Sequence, residues 1–147
     1  MQIRLATRED APAIAKMIRD HAQTDYMGYA TFDEGYIKDK MKRDVFLVAE
    51  DGGLAGCLRI SLVDVDLAEI RTLSVYEEFR RKGLASRMLE VGFDLMEKRK
   101  IRKVIARIKA GNTPAIDMFK KFGFEQEGYF KEHYRKGIDV VQMAKFL

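Results

Sequence analysis

Disulfides, metal clusters and membrane spans find little support in this sequence, which has one cysteine, two histidines and no tryptophan among 147 residues. A single thiol cannot form an intrachain disulfide, and this usage predicts a cytoplasmic protein. So few histidine and cysteine residues form no cluster with metal-ligand spacing, and we expect no metal site. No apolar run reaches the ~18–20 residues that span a bilayer, and the first residues lack a signal-peptide pattern, so we expect no membrane partner.

The composition is that of one folded domain, predicted to cover residues 1–147. Apolar residues make up 47% of the chain and charged residues 34%, an ordinary balance for a globular protein. The net charge of +4 is uneven, with nine basic and thirteen acidic residues up to Ile70 but eighteen basic and ten acidic residues from Arg71 onward. Two interpretations of this uneven charge are open. Either it arises by chance from charged residues on solvent-facing helix surfaces, or the basic half holds a polyanion and the acidic half receives a cation.

Hydrophobic periodicity predicts an order of elements that defines the fold class. Alternating or continuous apolar runs predict strands, and apolar residues at helical spacing predict helices. Strands are predicted near 2–6, 45–49, 54–63, 67–75, 104–108, 124–130 and 138–147, and helices near 7–21, 33–42, 84–98 and 112–122. Gly56 predicts a bulge in the third strand. We therefore predict one α/β domain with a mixed sheet.

The junction between the fourth strand and the third helix has the features of an anion site. The sequence Arg80-Arg81-Lys82-Gly83 leads into the helix, whose first N–H groups have no partner within it. A glycine lets the backbone approach a phosphate, and three cations surround it, so a pyrophosphate fits. The segment lacks the ending of a P-loop and the further glycines of a dinucleotide fingerprint. The alternative is a helix start with a solvated basic tip.

A second strand-to-helix junction completes a recognisable pair of motifs. It contains Asn112, Ala115-Ile116 and Gly123-Phe124, and it follows the element Arg80-x-x-Gly83-x-Ala85 in the chain. Together the two segments resemble the acyl-CoA signature and the following helix of the GNAT superfamily of N-acetyltransferases. The resemblance implies a single-domain GNAT fold: a mixed, mostly antiparallel sheet of about seven strands, splayed central strands and about four helices. It also implies an acyl-CoA-dependent N-acetyltransferase.

Acetyl-CoA is the co-substrate that the resemblance implies, and the matching positions supply its contacts. These positions are Leu73, Ser74, Val75, Arg80, Arg81, Lys82, Gly83, Leu84, Ala85, Ser86, Asn112 and Phe119. By similarity, backbone groups of Leu73 and Val75 pair with the pantetheine arm, and the amides of residues 81–85 hold the pyrophosphate. Asn112 has the simpler alternative of a helix N-cap.

Glu69 is the candidate general base. It precedes Arg80 by eleven residues, the interval at which histone-type members of the family carry a glutamate base. A protonated amine has no lone pair, so a base must remove its proton before it attacks a thioester. The alternative is a solvent-facing strand glutamate paired with Arg71 or Arg59.

The general acid departs from the family pattern. Many members have a tyrosine where this chain has Phe119, which carries no hydroxyl to protonate the leaving thiolate. Tyr129 or Tyr134, the other two catalytic candidates, or solvent would replace it, or the thiolate leaves unprotonated. A backbone N–H, at Val75 by similarity, would polarise the thioester. We expect Cys57 to lie in the core and not to act as a nucleophile.

The acceptor site is predicted between the loop of residues 22–34 and the final hairpin. Its candidate residues are Asp25, Tyr26, Tyr29, Phe32, Asp33, Glu34, His133 and Tyr134. Acidic and aromatic groups suit a cationic amine, and they equally suit a loop packed on the core. The acceptor is a protein N-terminus or lysine, or a small cationic amine; the segment from Gly128 to Met143 resembles the tail of N-terminal protein acetyltransferases.

Other classes of function make different demands on the sequence. A non-catalytic module that binds acyl-CoA as a regulatory ligand would explain Phe119. A nucleic-acid binder would explain the basic second half, but aromatic residues do not interleave with its basic run and no readout motif is present, so no nucleic-acid partner is expected. A homodimer is a further expectation, since dimers are the commonest assembly.

Overall fold

A computed structural model describes residues 1–22 and 32–147 of the chain. In these ranges it has seven strands and four α-helices, which confirms the predicted α/β class. In chain order they are β1 (Gln2–Leu5), α1 (Ala11–Ala22), α2 (Glu34–Lys40), β2 (Val45–Glu50), β3 (Leu54–Asp64), β4 (Leu67–Val75), α3 (Leu84–Lys98), β5 (Lys103–Lys109), α4 (Thr113–Lys121), β6 (Glu125–Arg135) and β7 (Ile138–Phe146). None of the described helices has the length and apolarity of a membrane span.

The strands form one mixed sheet in the order β1-β2-β3-β4-β5-β7-β6. The pairing of β4 with β5 is parallel, and the other neighbouring pairs are antiparallel. Parallel neighbours cannot be joined by a tight turn, so the chain crosses over between them through α3. The parallel pair therefore lies where two antiparallel halves of the sheet meet.

Helices cover both faces of this sheet and bury two hydrophobic clusters. On one face α3 presents an apolar stripe at helical spacing, including Met88 and Leu89, to the central strands. On the other face Ile14 and Met17 of α1 and Ile37 of α2 pack onto the first half of the sheet. All five side chains are fully buried. The central strands are thus held from both sides.

The two parallel strands separate halfway along their length. Their pairing begins at Leu67 with Lys103 and ends at Ile70 with Ala106, although both strands continue further. At the same point the β3–β4 register shifts, so that Arg71 is an extra residue in β4. Such a bulge bends and twists its strand, which turns the second half of β4 away from β5. The predicted splay of the central strands is therefore confirmed.

Two details of the predicted strands are wrong. Gly56 pairs regularly with Ala49 and Val75, and the extra residue of the β2–β3 ladder is Ala55, one position earlier. A Cβ on Gly56 would lie 3.1 Å from the carbonyl oxygen of Ser74, so glycine is present because another backbone approaches closely. Strand β6 also extends to Arg135, beyond the predicted end near 130, because its polar outer half has no hydrophobic alternation to mark it.

We predict that Gly56→Ala destabilises the fold. The added Cβ would lie 3.0 Å from Met88 Sδ and 3.1 Å from the Ser74 carbonyl oxygen, and backbone atoms move less readily than a side chain. Overpacking of this kind costs about 1–3 kcal/mol in the free energy of unfolding. Urea denaturation followed by circular dichroism measures the loss.

Gly111→Ala is the matched control, since a Cβ at Gly111 meets nothing within 4 Å. Its free energy of unfolding should stay level or rise by up to about 1 kcal/mol, because alanine restricts the unfolded chain. Equal stability of Gly56→Ala and wild type would contradict the close approach described above.

Candidate active site

A cavity of about 830 Å³ opens where β4 and β5 part. Its walls come from both strands, the first turn of α3, α4 and its cap, the end of α1, the region of α2, and β6. A concave site of this size, with apolar walls and a few converging polar groups, is typical of small-molecule binding.

One wall of the cavity is the unpaired backbone edge of β4. The N–H of Tyr76 donates to the Ala55 carbonyl at 3.0 Å, toward β3. Because successive N–H groups of a strand point to opposite sides, those of Val75 and Leu73 face the gap. The Val75 carbonyl faces the same way and accepts a bond from Arg80 Nε at 2.8 Å. The gap therefore offers backbone donors to an extended ligand, as a sheet edge does.

The far end of the cavity is the N-terminus of α3. Gly83 caps this helix in the left-handed region with φ of 74°, and Arg81 is also left-handed with φ of 61°. The helical ladder starts with the bond from Arg87 N–H to the Gly83 carbonyl at 3.0 Å, so the N–H groups of residues 84–86 precede it. Donors of this kind at a helix start, together with the helix dipole, can bind a phosphate.

Most residues that the sequence predicts for the co-substrate lie at this cavity. Those that line it are Leu73, Ser74, Val75, Arg80, Arg81, Ala85, Asn112 and Phe119. Lys82, Gly83, Leu84 and Ser86 do not line it, and the side chain of Leu84 is buried in the core, so its backbone alone faces the helix end. Asn112 is also the predicted N-cap, because its side chain accepts the Ala115 N–H at 3.3 Å.

Glu69 lies at the closed end of the gap, one residue before the last β4–β5 pair. It lines the cavity, and its exposure is only 6%, so it is not the solvent-facing glutamate of the alternative interpretation. Its Oε1 lies 3.6 Å from an Nη of Arg71, so the ion pair of that alternative is present. A carboxylate enclosed beside a substrate cavity can accept a proton there.

A network of buried polar groups holds Arg71 in place, and sequence reasoning missed it. Arg71 Nε donates to Ser61 Oγ at 2.9 Å, and Ser61 Oγ donates to Asp44 at 2.9 Å. The same Asp44 oxygen accepts Arg59 Nε at 2.8 Å, with both side chains at most 10% exposed. Two of the four residues come from β3, one from β4 and one from the turn before β2, so no local sequence spacing indicates their contact.

Of the two candidate tyrosines, Tyr134 is the one that lines the cavity. Its hydroxyl accepts a bond from Arg107 Nη1 at 3.2 Å, and both residues line the cavity. Arg107 in turn donates through Nε to Gln142 Oε1 at 3.1 Å, which orients the guanidinium. Arg107 was not among the residues predicted from the sequence.

The structure does not bring Tyr129 or Cys57 to the cavity. Tyr129 is 57% exposed, and its hydroxyl donates to Asp139, a hydrogen bond that raises the pKa of Tyr129. Cys57 is fully buried, and burial raises the pKa of its thiol to about 12, so no thiolate forms near neutrality. The predicted core position of Cys57 agrees with the structure.

The predicted acceptor wall is reproduced in part. Phe32 and Tyr134 both line the cavity, whereas Asp33 caps α2 and Glu34 pairs with Lys38 at 3.4 Å. His133 lies against Tyr134 with ring centroids 4.6 Å apart and is not in the lining. The candidates Asp25, Tyr26 and Tyr29 lie outside the described residues.

The charges at the cavity are mainly positive. Five arginines line it in the described part of the chain: Arg59, Arg71, Arg80, Arg81 and Arg107. Among those described residues Glu69 is the one carboxylate in the lining. Two of these arginines, Arg59 and Arg71, form ion pairs with Asp44 and Glu69, which offset part of the positive charge.

Comparison with known proteins assigns this chain to one family and finds the same architecture in solved structures. The sequence model of the acetyltransferase (GNAT) family matches residues 14–124. The N-alpha-acetyltransferase of Sulfurisphaera tokodaii is 29% identical over 156 residues, which cover 97% of this chain and 91% of that protein. The structure of a ribosomal-protein-alanine N-acetyltransferase from Brucella melitensis superposes with a TM-score of 0.89, at 24% identity and over the whole of both chains.

A spermidine N-acetyltransferase from Vibrio cholerae, solved in complex with CoA and spermine, has the same architecture. Its TM-score is 0.83 at 18% identity, over 99% of this chain and 94% of that one. At these identities the two solved structures share the fold with this chain.

Proposed function

We propose, since the chain belongs to the acetyltransferase (GNAT) family, that it moves the acetyl group of acetyl-CoA onto a primary amine within a ternary complex. The observation that carries the proposal is the gap between β4 and β5, which ends at the N-terminus of α3. It combines a row of backbone donors with a phosphate site in one cavity, and acetyl-CoA requires both.

The donor groups of the cavity fit acetyl-CoA. The N–H groups of Leu73 and Val75 suit the amide oxygens of a pantetheine arm lying along β4. Of the residues at the helix start, Arg81 and Ala85 line the cavity, so the Ala85 N–H and the Arg81 side chain suit the pyrophosphate. Arg80 has a structural role instead, because its side chain donates a hydrogen bond to the Val75 carbonyl and so holds the loop before α3 against β4.

The enclosed side chains supply the proton transfers that the reaction needs. Glu69 takes a proton from the ammonium form of the acceptor, and the amine nitrogen then attacks the thioester carbonyl carbon. The N–H of Val75 polarises that carbonyl, and the C–S bond breaks as Tyr134 gives its proton to the leaving sulfur. The second proton that the nitrogen loses as it becomes an amide returns to the Tyr134 oxygen. No covalent enzyme intermediate is required.

We propose a protein N-terminus as the acceptor. The S. tokodaii relative is named for N-alpha acetylation and the B. melitensis structure for an alanine of a ribosomal protein. The positive lining of the cavity also supports an acceptor with one amine, because a polyamine carries several like charges into it.

An acceptor panel tests this proposal. We expect turnover with a peptide that begins with alanine, none when the same peptide is N-terminally blocked but contains lysine, and at least about tenfold slower turnover with spermidine. Released CoA is measured with a thiol reagent, since the buried thiol of Cys57 does not react. Mass spectrometry locates the acetyl group.

Calorimetry separates the other outcomes of the panel. Binding of CoA without turnover of any amine would favour the regulatory acyl-CoA module. If CoA and acetyl-CoA both fail to bind at millimolar concentration, the assignment of the cavity is wrong. Faster turnover of the blocked peptide would make lysine the acceptor.

We predict that Glu69→Gln lowers kcat/KM on the alanine peptide by about 100-fold near pH 7, because glutamine cannot accept the proton. The deficit should shrink toward about pH 9, where an α-amine of pKa about 7.7–8.0 is already neutral. Glu90→Gln, an exposed substitution on α3, is the control and should follow the wild-type profile. A deficit that does not change with pH would assign Glu69 a structural role.

The two tyrosines are separated by a matched pair of variants. Tyr134→Phe removes the hydroxyl held by Arg107 and should lower kcat by about tenfold or more, with little change in the dissociation constant of CoA. Tyr129→Phe removes a hydroxyl that the structure places outside the cavity and should stay within about twofold of wild type. Equal effects of the two variants would exclude Tyr134 as the proton donor.

A further inference from the structure

A row of hydrogen bonds runs across the sheet behind Arg107 and ends at an exposed glutamate. Gln142 of β7 lies opposite Arg107 of β5, and its Oε1 accepts Arg107 Nε at 3.1 Å. The other end of the same amide, Nε2, donates to Glu127 Oε2 of β6 at 2.5 Å. Glu127 Oε1 accepts Lys103 Nζ at 2.7 Å. Neither Glu127 nor Gln142 lines the large cavity, so neither side chain forms part of the site itself.

The backbone of β6 builds this contact with a bulge and a glycine. In the β6–β7 ladder Gln126 pairs with Met143 and Gly128 pairs with Gln142, which makes Glu127 the extra residue. A bulge re-aims the side chain of its extra residue. Gly128 lies directly opposite Gln142 and has no side chain of its own, so the Glu127 carboxylate reaches the Gln142 amide from the neighbouring position.

The charge of Glu127 decides which end of the Gln142 amide faces Arg107. The hydrogen bond from Lys103, followed by the one from Gln142, holds the pKa of Glu127 below its usual range, so the carboxylate is ionised near neutrality. An ionised carboxylate accepts hydrogen bonds and donates none. Gln142 therefore turns its NH2 group toward Glu127, and its oxygen faces the Arg107 N–H.

Arg107 carries this constraint to the cavity. Its Nη1 donates to the Tyr134 hydroxyl at 3.2 Å, and its Cζ lies 5.4 Å from the centre of the Phe130 ring. A guanidinium is planar and rigid, so a hydrogen bond at Nε fixes the direction of the N–H groups at its other end. A hydroxyl that accepts such an N–H uses a lone pair for this bond and keeps its own proton for donation.

We propose that Glu127 and Gln142 are positioning residues for the reaction, which fix Arg107 so that the Tyr134 hydroxyl directs its proton into the cavity. This inference rests on the proposed function, in which Tyr134 protonates the leaving sulfur. It gives a part in catalysis to an exposed carboxylate on the outermost strand of the sheet, three hydrogen bonds away from that hydroxyl.

Reversing the charge of Glu127 tests this chain of contacts. In Glu127→Lys the Gln142 oxygen turns to the new ammonium group, and its NH2 group then meets the Arg107 N–H, donor against donor. We expect kcat on the alanine peptide to fall about tenfold, as for Tyr134→Phe, with little change in KM or in the dissociation constant of CoA. Glu125→Lys makes the same change of charge at an exposed position of the same strand and should keep the wild-type kcat.

A compensating substitution restores the contacts in another form. In Gln142→Glu a carboxylate replaces the amide, and it can accept from Arg107 and from an ammonium group on β6 at once. The double variant Glu127→Lys with Gln142→Glu should therefore regain kcat to within about threefold of wild type. Added to Tyr134→Phe, Glu127→Lys should cause no further loss, because the hydroxyl that it misplaces is already absent. Failure of the rescue, or a full further loss in the Tyr134→Phe background, would overturn the proposal.

A spectroscopic measurement separates this inference from the proposed function. The Nε–H signal of Arg107 is assigned by its absence from the NMR spectrum of Arg107→Lys. Its exchange with water should be slow in wild type, at least about tenfold faster in Glu127→Lys, and slow again in the double variant. If wild type turns over no amine, the proposed function fails, and this exchange alone decides whether Glu127 holds Arg107. Equal exchange rates in wild type and Glu127→Lys would overturn the inference whatever the turnover.

Discussion

The parting of β4 and β5 is the constraint on which the rest of the site depends. Two strands of one sheet pair for four residues and then separate, yet each keeps an antiparallel neighbour on its other side. The exposed edges are therefore not loose. The backbone donors in the gap belong to strands that their antiparallel neighbours hold in place. A ligand can therefore pair with these donors without first having to order the chain. The bulge at Arg71 sets where the parting begins.

The polar network of Asp44, Arg59, Ser61 and Arg71 positions Glu69 more than it stabilises the fold. A buried pair such as Arg59 with Asp44 stabilises a fold little compared with apolar residues of similar volume, although removing one partner costs about 3–5 kcal/mol. Through Ser61 the pair reaches Arg71, which lies against Glu69. The position of the proposed base is thus tied to the core of the first half of the sheet.

The sequence predicts the elements and the glycine turn before α3 well because their signals are local. Gly83, its preceding cations and the apolar stripe of α3 occur within one short segment. The side chains that complete the site are joined over longer distances: Arg107 meets Tyr134 across 27 positions. The sequence also could not distinguish Tyr129 from Tyr134 as the proton donor. Register shifts in the β6–β7 ladder near Glu127 and after Phe130 change which residues face the cavity. Only the paired strands reveal that Tyr134 faces it.

The bond from Arg80 to the Val75 carbonyl gives the gap a chemical polarity. At the last residue of β4 the acceptor is already engaged by a guanidinium, while the neighbouring N–H points into the gap. The N–H at this end of the edge therefore suits a ligand that brings an oxygen acceptor, such as an acyl carbonyl. A thioester meets that requirement, whereas a thioether of the same length does not. In the proposed reaction, this contact of Arg80 would favour an acylated carrier over an alkylated one.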